Sequence, residues 1–132
     1  HGEWWNVHRV ALESAYGRTP FFEFYIDRFL PFFKHREKDN NNEFLMDLDC
    51  NIDVVIRNIL GIESKISYST ENLPNIAEDI KDYRSNEFTH ITPVEYYQVR
   101  QATHGFIPNL SILDLIFNMG PESPLILKKM QQ

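Results

Sequence analysis

The strongest constraint on the fold is a helical repeat of apolar residues between positions 43 and 60. Apolar side chains there follow the i, i+3, i+4 spacing of an amphipathic helix. They are Leu45, Leu48, Ile52, Val55, Ile56 and Ile59. Gly61 comes next, and glycine commonly ends a helix. The segment therefore predicts one long helix with a single buried face.

Start and stop signals divide much of the remaining chain into further predicted helices. The first covers about Glu3–Tyr16 and ends before Gly17. A second begins at Thr19-Pro20 and ends at Pro31, because proline can open a helix but interrupts its interior. Shorter helices are predicted near 76–83, from Ser111 to Gly120, and from Ser123-Pro124 to the end.

The first two predicted helices are rich in aromatic and apolar side chains. The first has two neighbouring stripes at helical spacing. Trp4, Val7, Ala11 and Ala15 form one stripe, and Trp5, Leu12 and Tyr16 form the other. The second helix has too many apolar residues for one stripe. We therefore expect it to be packed on more than one side.

One short strand completes the predicted elements. Lys65–Ser69 alternates polar and apolar residues, which is typical of a strand. A strand needs a partner, which we expect elsewhere in the chain or in a part absent from it. The segment 84–108 is irregular. The predicted fold class is mainly α: a compact helical domain of about five helices with one short strand, over residues 1–132, from a truncated α+β protein.

Composition excludes several classes of protein. A net charge of −6 argues against a nucleic-acid-binding protein, which normally has a basic face. No apolar run approaches the roughly 18 residues of a membrane span. Cys50 is the only cysteine, so an intrachain disulfide is excluded. A reducing compartment fits this cysteine content, and we predict a cytoplasmic protein.

Motifs that would carry chemistry are few. Ser111 and Asp114 could join His104 in a nucleophile set. However, a helix start explains both, since their spacing resembles a capping box. Tyr96, Tyr97 and Gln98 lie in the irregular segment, where binding residues concentrate, and together offer two hydroxyls and an amide. The alternative is that this segment's aromatic residues anchor it to the core. The sequence identifies no metal ligands and leaves the cofactor unknown.

Two segments together resemble the WbqC-like protein family. Near the start, His8 is followed by the stretch LESAYGRTPFFEFY, which covers residues 12–25. Near the end, Tyr97-Gln98 is followed by GFIPNLSILDLIFNMGPES over residues 105–123, a long and contiguous match. The middle of the chain is less similar. Family members usually have an N-terminal part with aromatic-proline and KxxxxNR motifs, which are not found here. The resemblance therefore implies the C-terminal portion of a longer protein.

The resemblance also implies a function. Some members are bacterial proteins of surface-polysaccharide (O-antigen) biosynthesis, with acyl or aminoacyl (glycyl) transfer to an amino sugar as a suggested activity. The predicted substrate is a nucleotide-linked or lipid-linked sugar. Such transfer needs a general base and groups that orient the substrate. We assign His8 as the base, Tyr97 and Gln98 as substrate contacts, and Asn109 and Asn118 as polar substrate-binding groups.

The alternative is a non-catalytic helical packing or partner-binding domain. Ten Phe, six Tyr and two Trp could fill a core or a docking groove equally well. In that case His8 would be a packed core residue. An exposed apolar face would also remain, through which the protein could form a homo-oligomer. A single pocket containing His8, Tyr97, Gln98 and Asn109 would favour the enzyme, whereas separate environments would count against this site.

Overall fold

The structure is a computed structural model that describes residues 2–34, 45–69 and 91–131. These residues are mainly helical, which confirms the predicted fold class. The helices are α1 (Trp4–Tyr16), α2 (Phe22–Phe29), α3 (Leu45–Leu60), α4 (Gln101–His104), α5 (Ile112–Met119) and α6 (Ser123–Met130). Short 3-10 helices cover Leu30–Phe32 after α2 and Gly120–Glu122 before α6. No helix of these three ranges is long and apolar enough to cross a bilayer.

Two local predictions are wrong, and a third concerns residues outside the described ranges. Residues 65–69 are exposed and form no strand, and no strand occurs in the described ranges to pair with them. Thr19 does not open α2. Its Oγ donates to the carbonyl of Tyr16 at 2.6 Å and so closes the end of α1. Helix α2 starts at Phe22, and the N–H of Phe21 before it is bonded to the carbonyl of Phe117. The predicted helix near 76–83 lies outside the described residues.

Aromatic rings from three helices form the main core around Phe117. This side chain of α5 is fully buried, and its ring contacts those of Tyr16, Phe22 and Phe29 at centroid distances of 5.2 to 6.0 Å. Helix α3 packs against the same cluster through four residues of the predicted repeat: Ile52, Val55, Ile56 and Ile59. Helix α2 is thus packed on more than one side, as predicted.

Helix α1 joins this core along one of its two stripes. Leu12 and Tyr16 pack against the cluster. The other stripe faces away from it, with Trp4 at 44% and Val7 at 65% exposure, and Val10 beside them is also exposed. A helix with two apolar stripes has therefore buried only one of them.

Helix α5 is enclosed on all sides and joins the main core to a second apolar cluster. Five consecutive residues, 114–118, are buried. Leu115 packs with Tyr96 and with Ile126 of α6. The turn from α5 to α6 depends on Gly120, whose φ is 54° and whose missing Cβ would lie 2.5 Å from the ring of Phe21. This glycine provides both the backbone conformation and the space for the ring.

Candidate functional site

An extended segment from 94 to 98 lies against α5 and alternates between inside and outside. Tyr96 and Gln98 are buried, whereas Glu95 and Tyr97 are exposed. Alternation of this kind follows from the two-residue repeat of an extended chain. Two polar side chains are thereby directed at the buried face of α5.

Asp114 of α5 receives these side chains. Its Oδ2 accepts hydrogen bonds from the hydroxyl of Tyr96 at 2.7 Å and from Nε2 of Gln98 at 3.0 Å. Its Oδ1 accepts from Nδ2 of Asn118 at 3.2 Å. A buried carboxylate is costly unless it is hydrogen-bonded, and here three donors and the N-terminal end of α5 stabilise it. We call these four residues the Asp114 hub.

The predicted capping box at the start of α5 is therefore only half correct. Ser111 caps the helix, since its Oγ accepts the N–H of Leu113 at 3.3 Å. The carboxylate of Asp114 instead binds side chains of the preceding segment and of the next helical turn. Its role is tertiary and is not the local one that its spacing indicated.

The hydroxyl of Tyr96 is a fixed hydrogen-bond donor. Burial raises its pKa well above the usual value for tyrosine, and the hydrogen bond to Asp114 raises it further. The pKa of Tyr16 is also raised, first by burial and then by the charge of Asp114. Tyr96 therefore keeps its proton at neutral pH and is not suited to act as a base.

Gln98 also fixes the loop that follows α4. Its Nε2 donates to the carbonyl of Ile107 at 2.8 Å, and its Oε1 accepts the N–H of Ile107 at 2.9 Å. One amide side chain thus pairs with both backbone groups of Ile107, as a neighbouring strand would. Asn118 binds the segment before α4 through a single backbone bond, in which its Oδ1 accepts the N–H of Val99 at 2.9 Å.

The loop held in this way has an unusual backbone. Gly105 has φ 71° and ψ −178°, a conformation that essentially only glycine adopts. Asn109 has φ 58°, and it is the only non-glycine residue in the described ranges with a positive φ. Asparagine tolerates this region better than most residues. Both ends of the loop 105–109 therefore depend on specific residue types.

Two pockets lie on opposite faces of this loop. The larger has a volume of about 260 Å³ and lies against α5 and α6, with Tyr96, Phe106, Pro108 and Asn109 in its wall. The smaller has a volume of about 180 Å³ and lies against the end of α1. Its wall includes Gln98, Arg100, His104, Ile107 and Asp114. Leu110 lines both pockets, so the loop is a shared wall.

The residues predicted to form one site are distributed over different environments. Gln98 lines the smaller pocket and Asn109 the larger. Tyr97 is 52% exposed between the buried Tyr96 and Gln98, and Asn118 is buried within the hub. Their catalytic or binding roles stay predictions. Apart from Gln98 and Asn118, which share the hub, the structure does not bring this set together.

His8 has a different setting from the other four. It lies exposed on α1, with its ring stacked on Phe33 at 6.0 Å and with Trp4 edge-on at 5.9 Å. It is therefore neither a buried core histidine nor part of the wall of either pocket. Ser111 and His104 are also separated, since they line different pockets.

Sequence reasoning missed the residues that organise the two pockets. Asp114 was explained by capping, Tyr96 was selected only as a possible binding group beside Tyr97 and Gln98, and Arg100 and Phe106 received no role. Tyr96 and Gln98 share a buried face opposite Tyr97, but the residue types do not indicate it, because the exposed Tyr97 is aromatic and the buried Gln98 is polar. Nothing in the local spacing indicated that this face meets Asp114, which lies a helix and a loop further along the chain.

The hub and the loop coincide with a family match. Residues 81–126 match the model of the WbqC-like protein family. This part of the chain is similar to that family, and we call it the WbqC-like segment. The match confirms the predicted resemblance for the C-terminal part of the chain. No curated protein and no solved structure gives a significant match. All four hub residues and the loop between the pockets fall within the WbqC-like segment.

Proposed function

We propose that the chain provides part of the sugar-binding site of a bacterial WbqC-like enzyme. The reaction is transfer of an acyl or aminoacyl (glycyl) group to an amino sugar in cytoplasmic steps of surface-polysaccharide (O-antigen) biosynthesis. The substrate is a nucleotide-linked or lipid-linked sugar. The observation that carries the proposal is the larger pocket, whose wall is a loop held in one shape by the Asp114 hub.

The chemistry of this pocket suits a sugar ring. Tyr96 and Phe106 contribute rings in edge-to-face contact at 5.3 Å, and Pro93 and Pro108 add flat apolar surface. The C–H face of a pyranose ring packs favourably on such surfaces because both are apolar. Asn109 lines the same pocket and offers an amide to sugar hydroxyls. An apolar wall with few polar groups is typical of small-molecule sites.

Binding of a sugar is tested by NMR titration of the full chain with glucosamine, N-acetylglucosamine and their UDP-linked forms. Saturable shift changes are expected at Tyr96, Phe106 and Asn109. The variant Asn109→Gly removes the amide but permits the positive φ, so it should weaken binding about fivefold to tenfold through one lost hydrogen bond. Asn58→Ala, a change on the exposed side of α3, should leave binding unchanged. Absence of shifts at the pocket, or unchanged affinity in Asn109→Gly, would contradict the proposal.

Transfer itself is tested by mass spectrometry of full-length protein with amino-sugar nucleotides and acyl or glycyl donors. With His8 as the proposed base, His8→Gln should reduce transfer by about 100-fold or more. Sugar binding should remain, because His8 does not line the larger pocket. The same separation counts against His8 as the base, since a base must lie within hydrogen-bond reach of the reacting amine. No product with a broad donor panel argues against the transferase. Transfer that survives in His8→Gln instead leaves this residue a packing role against Phe33.

A second candidate function is a packing domain that forms a homo-oligomer. The observation that favours it is the outward stripe of α1, where Trp4, Val7 and Val10 are exposed. Contiguous exposed apolar side chains are typical of interaction sites. Analytical ultracentrifugation over a concentration series tests this candidate. Reversible self-association that Val7→Ser weakens would support it, and a monomer at all concentrations would argue against it.

A further inference from the structure

The smaller pocket has a cationic rim and a buried polar floor. Arg100 and His104 are exposed, stand one helical turn apart and both line it. Gln98 and Asp114 are buried on its inner side. Nη2 of Arg100 donates to the carbonyl of Ser14 at 3.3 Å, which holds the guanidinium beside the end of α1. The rim is thus assembled from two parts of the chain that are distant in sequence.

The charges in this pocket are unequally available to a ligand. The carboxylate of Asp114 already accepts hydrogen bonds from Tyr96, Gln98 and Asn118, so its oxygens are directed into the hub. Among the described residues, no carboxylate forms an ion pair with Arg100. The guanidinium has five N–H donors in a planar fork that matches a carboxylate or a phosphate. The accessible charge at the rim is therefore positive.

We propose that the smaller pocket binds an oxyanion group, either a carboxylate or a phosphate, through Arg100 with His104 as a second donor. The volume of about 180 Å³ admits a small group of this kind. The anion lies at the rim, next to Ser14 and Ala15, and away from the engaged oxygens of Asp114. This site is separate from the larger pocket and does not depend on sugar binding there.

The experiment is NMR titration of the full chain with inorganic phosphate and, separately, with acetate at constant ionic strength. Saturable shift changes in the millimolar range are expected at residues 98–105. The two ions distinguish the source, since a preference for phosphate assigns a phosphorylated ligand and a preference for acetate assigns a carboxylate. No saturable change with either ion would overturn the proposal.

Variants distinguish direct hydrogen bonding by the Arg100 guanidinium from a general effect of net charge on anion binding. Arg100→Gln should weaken binding of the preferred ion about tenfold, because it removes charge-assisted hydrogen bonds. Arg28→Gln makes the same charge change on α2, where Arg28 lies over the ring of Tyr25, and should leave binding unchanged. Equal affinity in Arg100→Gln and the original chain would overturn the assignment. If Arg100→Gln does not fold, Arg100→Lys and His104→Gln provide the same comparison, each with an expected loss of about threefold or more.

Discussion

The core around Phe117 and the hub around Asp114 lie one turn apart on the same helix, yet they are held together by different forces. Phe117 is surrounded by the rings of Tyr16, Phe22 and Phe29. Such packing is non-directional and tolerates hydrophobic exchanges of similar volume. Asp114 is one acceptor group shared by three buried donors, and directional bonds tolerate little change.

The apolar core and the hub therefore position different parts of the chain. Apolar packing around Phe117 fixes where α5 lies relative to α2 and α3. The hub fixes the shape of the chain that precedes α5, because Gln98 and Asn118 bind the backbone of Ile107 and Val99. Both pockets have this loop in their walls. Polar residues of the WbqC-like segment thus act on the pockets by positioning backbone.

The largest expected effect comes from removing the shared acceptor. Asp114→Ala leaves the buried hydroxyl of Tyr96 without a partner and removes one of the two acceptors of the Gln98 and Asn118 amides, so it should lower the free energy of unfolding by about 4 kcal/mol. Phe117→Leu, in the apolar region, should cost about 2 kcal/mol. Urea denaturation of both variants measures the contrast. A smaller loss of stability in Asp114→Ala than in Phe117→Leu would contradict the claim that the hub tolerates less change than the apolar core.

The next largest effect is expected where Gly120, after α5, contacts the ring of Phe21, before α2. Gly120→Ala combines an unfavourable positive φ with a clash against the Phe21 ring, so it should destabilise the protein by about 3 kcal/mol. Gly61→Ala is the matched control, since its φ is also positive but nothing lies within 4 Å of the added Cβ. It should cost about 1 kcal/mol. Equal losses of stability would show that the Phe21 contact contributes nothing.

A smaller effect is expected from a single bond of the hub. Tyr96→Phe removes the hydroxyl donor and should cost about 1.5 kcal/mol at neutral pH. The same change to the exposed Tyr97 should cost no more than a few tenths of a kcal/mol. Both values can be measured by urea denaturation, and similar losses for the two variants would contradict the account of the hub.

The pH dependence of this bond has a defined sign. The raised pKa of Tyr96 means that the unfolded chain releases this proton first, near the ordinary value of about 10. The contribution is complete below that pH and is lost as the pH rises through the raised pKa. The stability difference between the original chain and Tyr96→Phe should therefore shrink in alkaline solution. A difference that stayed constant or grew would contradict the pKa shift.

The smallest effect on stability is expected on the outward stripe of α1. Val7→Ser should change the free energy of unfolding by less than about 0.5 kcal/mol, because the side chain is mostly exposed. Leu12→Ser, on the inward stripe of the same helix, should cost about 2 kcal/mol or more. Thermal unfolding of the two variants checks the orientation of α1. Similar losses would show that both stripes are buried.

Local patterns predicted the helices well where local forces determine them. The apolar repeat before Gly61 and the Ser123-Pro124 start both correspond to observed helix boundaries. Thr19 misled the prediction because its hydroxyl bonds back to Tyr16, while the backbone N–H of Phe21 is bonded to a distant group, the carbonyl of Phe117. Spacing around Thr19 contains no information about that contact.

The site was less predictable for the same physical reason. Gln98 and Asn118 were correctly selected as notable polar residues, but their partners are backbone groups and a carboxylate brought close only by the fold. Asp114 had a sufficient local explanation in capping, which concealed its tertiary role. The single-domain organisation over residues 1–132 stays a prediction.

The central claim is that the Asp114 hub holds the loop between the two pockets in one conformation. Hydrogen exchange of the Ile107 amide tests it most directly, because this exposed residue donates its N–H to Gln98 and to no helix. Protection close to that of the α5 amides is expected in the original chain, with a large loss in Gln98→Leu while α5 stays protected. Rapid exchange of Ile107 in the original chain would contradict the claim.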